Sequence, residues 1–225
     1  MKITNCLLTS VLLLVGVAAP YAAHADTAAP ENLFRTFSTC DRTFFERLNA
    51  EQKTWTDYMR IGTRANVAYP VVPNRLREGQ RIQLFEKPID MAGVELVGYY
   101  DESSELAGVG KFVYWGFIAN GEQDVVAEKV RGHVVDGERL IKDKSGPWGR
   151  SERRYVGDPL DQWRKEQIAS DTVPKEGSVE RVLIVEGDTP IVGQGRVVIE
   201  CTMQGALTPA LLTRTRPDLD EREMP

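Results

Sequence analysis

Histidine is the side chain best suited to move a proton near neutral pH, and the 225-residue chain has two, His24 and His133. A hydrolytic triad would have to use one of them. His133 stands just before the turn dipeptide Asp136-Gly137, in a stretch of strand character. No Gly-x-Ser-x-Gly elbow or Ser-x-x-Lys pair accompanies it. Its position reads as an ordinary strand-end histidine. The spacings that hold nucleotides, zinc in metalloproteases or calcium in EF-hands do not occur. The sequence therefore asks for no cofactor and no metal.

Two other groupings could carry chemistry. Asp101, Glu102 and Glu105 gather between two apolar runs. A hydrolase of envelope polymers could use such carboxylates as acid and base if two of them converged across a cleft; the same residues also fit a solvated loop. The second grouping is basic: Lys142, Lys144, Arg150, Arg153 and Arg154 surround Trp148, which sits in a Gly-Pro-Trp-Gly stretch expected to tip a hairpin. An exposed Trp flanked by Arg could stack on a sugar, a peptide aromatic or an anionic surface. This makes Trp148, Arg150, Lys142, Lys144, Arg153 and Arg154 the candidate binding residues. The competing reading folds the Trp back onto the sheet and leaves the charges solvated.

The compartment is written at the N-terminus. Lys2, an apolar run over 11–19 and the small residues of Ala23-His24-Ala25 have the order of a secretory signal peptide cleaved after Ala25. The apolar run is shorter than the ~20 residues a membrane-spanning helix needs. Cys6 precedes it and Cys40 lies far beyond it, so neither suits a lipid-anchored start. The expected product is periplasmic or secreted. Cleavage leaves two cysteines, Cys40 and Cys201, and in an oxidising compartment these are expected to pair as a disulfide. With 28 basic against 33 acidic residues the net charge is −5, which gives no footprint for nucleic acid.

The elements that must position these residues follow from periodicity. Residues 26–31 read as a flexible leader, 32–206 as one α+β domain and 207–225 as a C-terminal tail frayed by Pro217 and its charges. Phe34, Phe37, Cys40, Phe44, Phe45 and Leu48 recur at helical spacing, with Ser38 as a candidate cap. From residue 65 the period becomes two. Candidate strands run over 67–72, 81–86, 94–101, 110–120, 125–135, 138–142, 153–156, 178–186 and 195–203, joined by short turns that imply antiparallel pairing. A short helix is expected over 158–168, where Asp158 and Pro159 resemble a helix start.

Strand 110–120 is apolar on both faces: Phe112, Tyr114, Gly116 and Ile118 on one, Val113, Trp115 and Phe117 on the other. Such a strand is central and needs two covers. The N-terminal helix can supply one. The other must come from closure into a barrel or sandwich, or from a partner. Gly98 and Gly116 fit bulges, close approaches to the backbone or points of sheet curvature. The expected architecture is thus an N-terminal helix packed on a strongly bent antiparallel sheet, with Val197, Ile199, Cys201 and Met203 under the helix. The expected function is a non-enzymatic binding module of the cell envelope, acting through the Trp148 tip or the uncovered sheet face. Its partner would be an envelope protein, a glycan or an anionic surface. A carboxylate hydrolase is the alternative, and a carrier of a small apolar ligand a weaker one.

Overall fold

A computed structural model describes residues 28–144, 146–169 and 172–225. The expected signal peptide, 1–25, lies outside the described residues, as do residues 26 and 27 of the leader. Helix α1 (Ala28–Phe37) already occupies the rest of that leader.

The fold is mixed α+β. Five α-helices among the described residues, α1, α2 (Arg42–Ala50), α3 (Gln52–Trp55), α4 (Gln123–Arg131) and α5 (Pro209–Thr215), accompany two antiparallel sheets. The small sheet is the hairpin β1 (Ile61–Arg64) and β2 (Val67–Pro70). The large one contains β3 (Ile82–Met91), β4 (Val94–Leu106), β5 (Gly110–Asn120), β6 (Ile141–Lys142), β7 (Trp148–Tyr155), β8 (Arg164–Lys165), β9 (Ser178–Gly187) and β10 (Arg196–Gly205). Its spatial order is β3-β4-β5-β10-β9-β7-β6, with β8 also on β7, and it does not close into a barrel. Among the described residues no helix is long and apolar enough to cross a membrane.

Strand β5, apolar on both faces, lies inside this sheet between β4 and β10. On one face Val113, Trp115 and Phe117 of β5 join Val197, Ile199, Cys201 and Met203 of β10 in the main core, together with Phe37, Phe44 and Phe45. The Phe37 ring lies 5.0 Å from Phe117, and Phe44 lies 5.9 Å from Phe117 in an edge-on arrangement. Cys40 and Cys201 stand at disulfide distance, with Cα atoms 5.3 Å apart. The N-terminal helix is broken at that cysteine. Cys40 takes a left-handed φ of 53°, α1 ends before it, and Asp41, rather than Ser38, caps α2 by accepting from Thr43 N at 2.9 Å. The kink turns the sulfur out of the helix and towards the strand.

Three expected elements are replaced. Residues 125–135 form no strand: α4 buries Val126, Ala127 and Val130, a helical spacing that the run of valines obscured. Residues 138–142 give a short 3₁₀ turn and only the two-residue β6. Residues 158–168 form no helix, because Asp158 turns its carboxylate back to Tyr155 N and pairs with Arg164, while Arg164 and Lys165 align against β7. Nor is the tail frayed. Arg216 and Asp218 are fully buried, Arg216 pairing at 2.8 Å with both Asp101 and Asp218, its guanidinium 4.6 Å from the Trp115 ring and 4.9 Å from Phe45. Arg75 joins the same knot through Asp101 and Glu223. These charges neutralise one another inside the fold, which is how a charge run ends up buried.

Candidate functional site

Strand alternation sends Asp101 and Glu102 to opposite faces. Asp101 lies in the buried knot, where burial pushes its carboxyl up against the pull of Arg216 and Arg75. It therefore shares no cleft with Glu102 and Glu105. Glu102 lies on the second face of the sheet and exposed Glu105 borders the same space at the end of β4; there the structure brings together residues that sequence reasoning did not single out.

The register gives that face its composition. Tyr100 of β4 is paired with Gly116 of β5, which is paired with Glu200 of β10; one row over, Glu102 is paired with Tyr114 and Tyr114 with Thr202. Glu186 of β9 pairs with Val198 on the same face. Tyr100, Ile118, Val192 and Val198 form a small second core beneath the loop 188–195. On the β7 side the segment 167–169 covers Val182 and Ile184, held by Ile168 N donating to Ser151 Oγ at 2.7 Å. Between these patches a cavity of about 560 Å³ stays open. Its walls include Tyr100, Glu102, Phe112, Tyr114, Glu186 and Glu200. A further space of about 270 Å³ continues past Tyr100 and Ile191 towards Arg81 and Ile82. The size and the mixture of rings with a few polar groups fit a ligand pocket.

Gly116 is what allows Glu200 to sit there. A Cβ on Gly116 would stand 2.2 Å from Ile199 O and 2.5 Å from Glu200 Cα, so only glycine permits this approach of β5 and β10. Gly98 borders a bulge: the β4–β5 register shifts between Leu96 and Gly98, leaving Val97 as the extra residue. Phe112 and Tyr114, two apart on β5, hold their rings within 3° of parallel at 6.2 Å, making a flat aromatic shelf.

The carboxylates of this groove differ in their surroundings. Glu102 accepts a hydrogen bond from the Tyr100 hydroxyl and pairs with Arg81 at 2.9 Å. Glu200 is only 7% exposed, and among the described residues its Oε2 has no hydrogen-bond partner. Burial, with Glu186 and then Glu102 adding repulsion, pushes its carboxyl up to about 8. Burial also raises Glu186. Both tyrosines are held above their usual range, first by burial and then by these carboxylates, with the Glu102 hydrogen bond adding to Tyr100. Among the described residues no three His, Cys, Asp or Glu side chains are grouped to hold a metal ion.

Comparisons with family models, curated proteins and solved structures match nothing to this chain. The site stands on its own geometry.

The basic group named from the sequence is placed differently. Trp148 does not tip a hairpin; it opens β7, pairs with Lys142 and Val185, is 8% exposed, and donates Nε1 to Asp124 at 2.9 Å. The tip lies earlier, in the turn where Asp143 N donates to Pro147 O. Arg150, only 4% exposed, donates to the carbonyls of Ser38 and Val135. Arg153 pairs with Glu180 at 2.8 Å and with Glu166, while Arg154 bonds the Asp158 carbonyl. Lys142 pairs with Asp124 at 2.7 Å, and Lys144 is exposed. Three of these cations are structural struts. His133 follows α4, half-buried, its backbone N bonded to Val130 O.

Proposed function

We propose that the protein is a ligand-binding module working outside the cytoplasm, and that its binding surface is the open face of the large sheet around Glu200. In this reading the helical segment 28–55, tied by Cys40 to β10, is the permanent cover of one face, and the second face is left for a ligand. The observation that carries the proposal is the groove itself: an aromatic shelf beside a buried carboxyl oxygen whose hydrogen bond is not made within the described fold. Several buried polar atoms among the described residues lack a partner; Glu200 Oε2 is the carboxyl oxygen among them that belongs to a residue lining this groove, where a ligand could satisfy it. A cysteine pair suits an oxidising compartment, in keeping with the export signal read at the N-terminus.

Amide NMR with a small set of neutral, cationic and anionic fragments tests the placement. Shifts should concentrate on β4, β5 and β10 at Tyr100, Phe112, Tyr114 and Glu200. Shifts confined to Trp148 and its neighbours would return the site to the basic segment.

A second reading has its own observation. Three carboxyls, Glu102, Glu186 and Glu200, share the groove and one keeps its proton near neutral pH, the division of labour an acid–base hydrolase of envelope polymers needs. Hydrolysis of a glycan or peptide polymer abolished by Glu200→Gln would establish it.

A further inference from the structure

The groove contains one group that constrains what can fill it. Glu200 lines the cavity, and its buried Oε2 has no hydrogen-bond partner among the described residues. Each element around it offers something. Glu186 comes from β9, Tyr114 from β5, Tyr100 and Glu102 from β4, and the loop 188–195 adds apolar Ile191 and Val192. Arg81, which lines the adjoining space, is already engaged with Glu102. The groove is therefore rich in carboxyls and aromatic rings, and it leaves Glu200 Oε2 without a partner.

Anions would find no free cation among the groove's described walls, since Arg81 is engaged by Glu102. A neutral hydroxyl could supply a donor but no charge. A quaternary ammonium would satisfy the ring faces and bring no N–H. An alkylammonium meets all three demands: N–H for Oε2, positive charge for the carboxylates, and an apolar stem for the Phe112–Tyr114 shelf. We propose that the ligand is a primary alkylammonium carried on an apolar stem, seated with its nitrogen on Glu200. The inference rests on the groove being the binding surface.

Glu200 holds its proton at neutral pH in the empty groove, because burial raises it to about 8. Seating the cation expels that proton to solvent, and the ammonium keeps its own. Affinity should therefore rise with pH, roughly fiftyfold from pH 6 to pH 8 for a group titrating near 8.

Calorimetric titration of the full oxidised protein with 1,5-diaminopentane tests this, beside its bis-quaternary analogue and 1,5-pentanediol. The diamine is expected to bind at least about tenfold tighter than either. Glu200→Gln should weaken it ten- to a hundredfold, as loss of a charge-assisted hydrogen bond does, and should abolish the pH slope. Phe112→Leu keeps the carboxyl, so it should weaken binding and retain the slope. A lysine amide capped at its amino end separates the sources: tighter binding than the diamine assigns a peptide side chain, weaker binding a free amine, and both support the proposal. Equal affinity for the quaternary analogue, indifference to Glu200→Gln, or no amine binding at millimolar concentration would overturn it. If amines fail while neutral fragments still shift the Phe112 and Tyr114 amides, only this inference falls; if no fragment reaches the groove, the binding-surface reading falls too.

Discussion

Replacing Glu200 by Gln should make the protein more stable, and increasingly so as the pH rises. An ordinary glutamate titrates at 4.5, whereas Glu200 in the fold titrates at about 8. Below about pH 4.5 both folded and unfolded chains hold the proton, and the carboxyl costs nothing extra. Between 4.5 and 8 the unfolded chain ionises while the folded one does not, so stability falls steadily. Above 8 both are ionised and the full penalty stands. At about 1.36 kcal/mol per pH unit of separation, the penalty reaches ~3 kcal/mol at pH 7 and ~5 kcal/mol above pH 8. Water entering the open groove would reduce both figures, and half of each is still measurable against a typical total of about 5 to 15 kcal/mol. Urea denaturation of wild type and Glu200→Gln from pH 4 to 9 reads the difference directly. The two should coincide near pH 4 and diverge by more than ~1 kcal/mol at pH 8, an advantage of ~2–4 °C in Tm or more for Gln. Parallel stability curves over that range would show that Glu200 is solvated or paired, and the reasoning about the groove would fail.

Reducing the Cys40–Cys201 pair, or replacing both residues by Ala, should cost ~5 kcal/mol, because the bond spans 161 residues of the unfolded chain; a loss below ~1 kcal/mol in thiol-dependent denaturation would contradict this. Arg216→Met should cost ~3–5 kcal/mol by removing the 2.8 Å partner of buried Asp101 and Asp218 and leaving them only the longer contacts with Arg75, and adding Asp101→Asn should recover part of that loss in a double-mutant cycle. Gly116→Ala forces β5 and β10 apart at a 2.2 Å approach, so it should cost ~3 kcal/mol or prevent folding; an unchanged Tm would show that the strands do not meet as described. Trp148 donates to Asp124 from a buried position, so Asp124→Ala should alter Trp fluorescence and leave amine binding untouched, which the calorimetric titration can check.

Much of the sheet was legible because its central strands are short, apolar and punctuated by turns. Strand 110–120 has the bounds expected from its sequence, and 178–187 and 196–205 differ from expectation by one or two residues. The cysteine pairing followed from counting. What misled was local: the valines at 125, 126 and 130 look like strand, yet only Val126 and Val130 turn inward, with Ala127, as on a helix. Asp158-Pro159 has the chemistry of a helix start, but the carboxylate is taken by Arg164. The charged tail looked frayed because its partners, Asp101 and Arg75, lie more than a hundred residues away. Glu200 carried a signal of its own: the one acid of a strand whose middle, Val197 to Met203, is mostly apolar, on the face that β5 presents as Tyr114, Gly116 and Ile118. Recognising it needed the β5–β10 register, which pattern alone does not supply.

A crystal structure of the oxidised protein soaked with 1,5-diaminopentane would test the binding groove most directly. The expected result is the diamine lying along Phe112 and Tyr114 with one nitrogen about 2.8 Å from Glu200 Oε2. Density at another surface, or a Glu200 side chain already satisfied by a cation of its own chain, would contradict it.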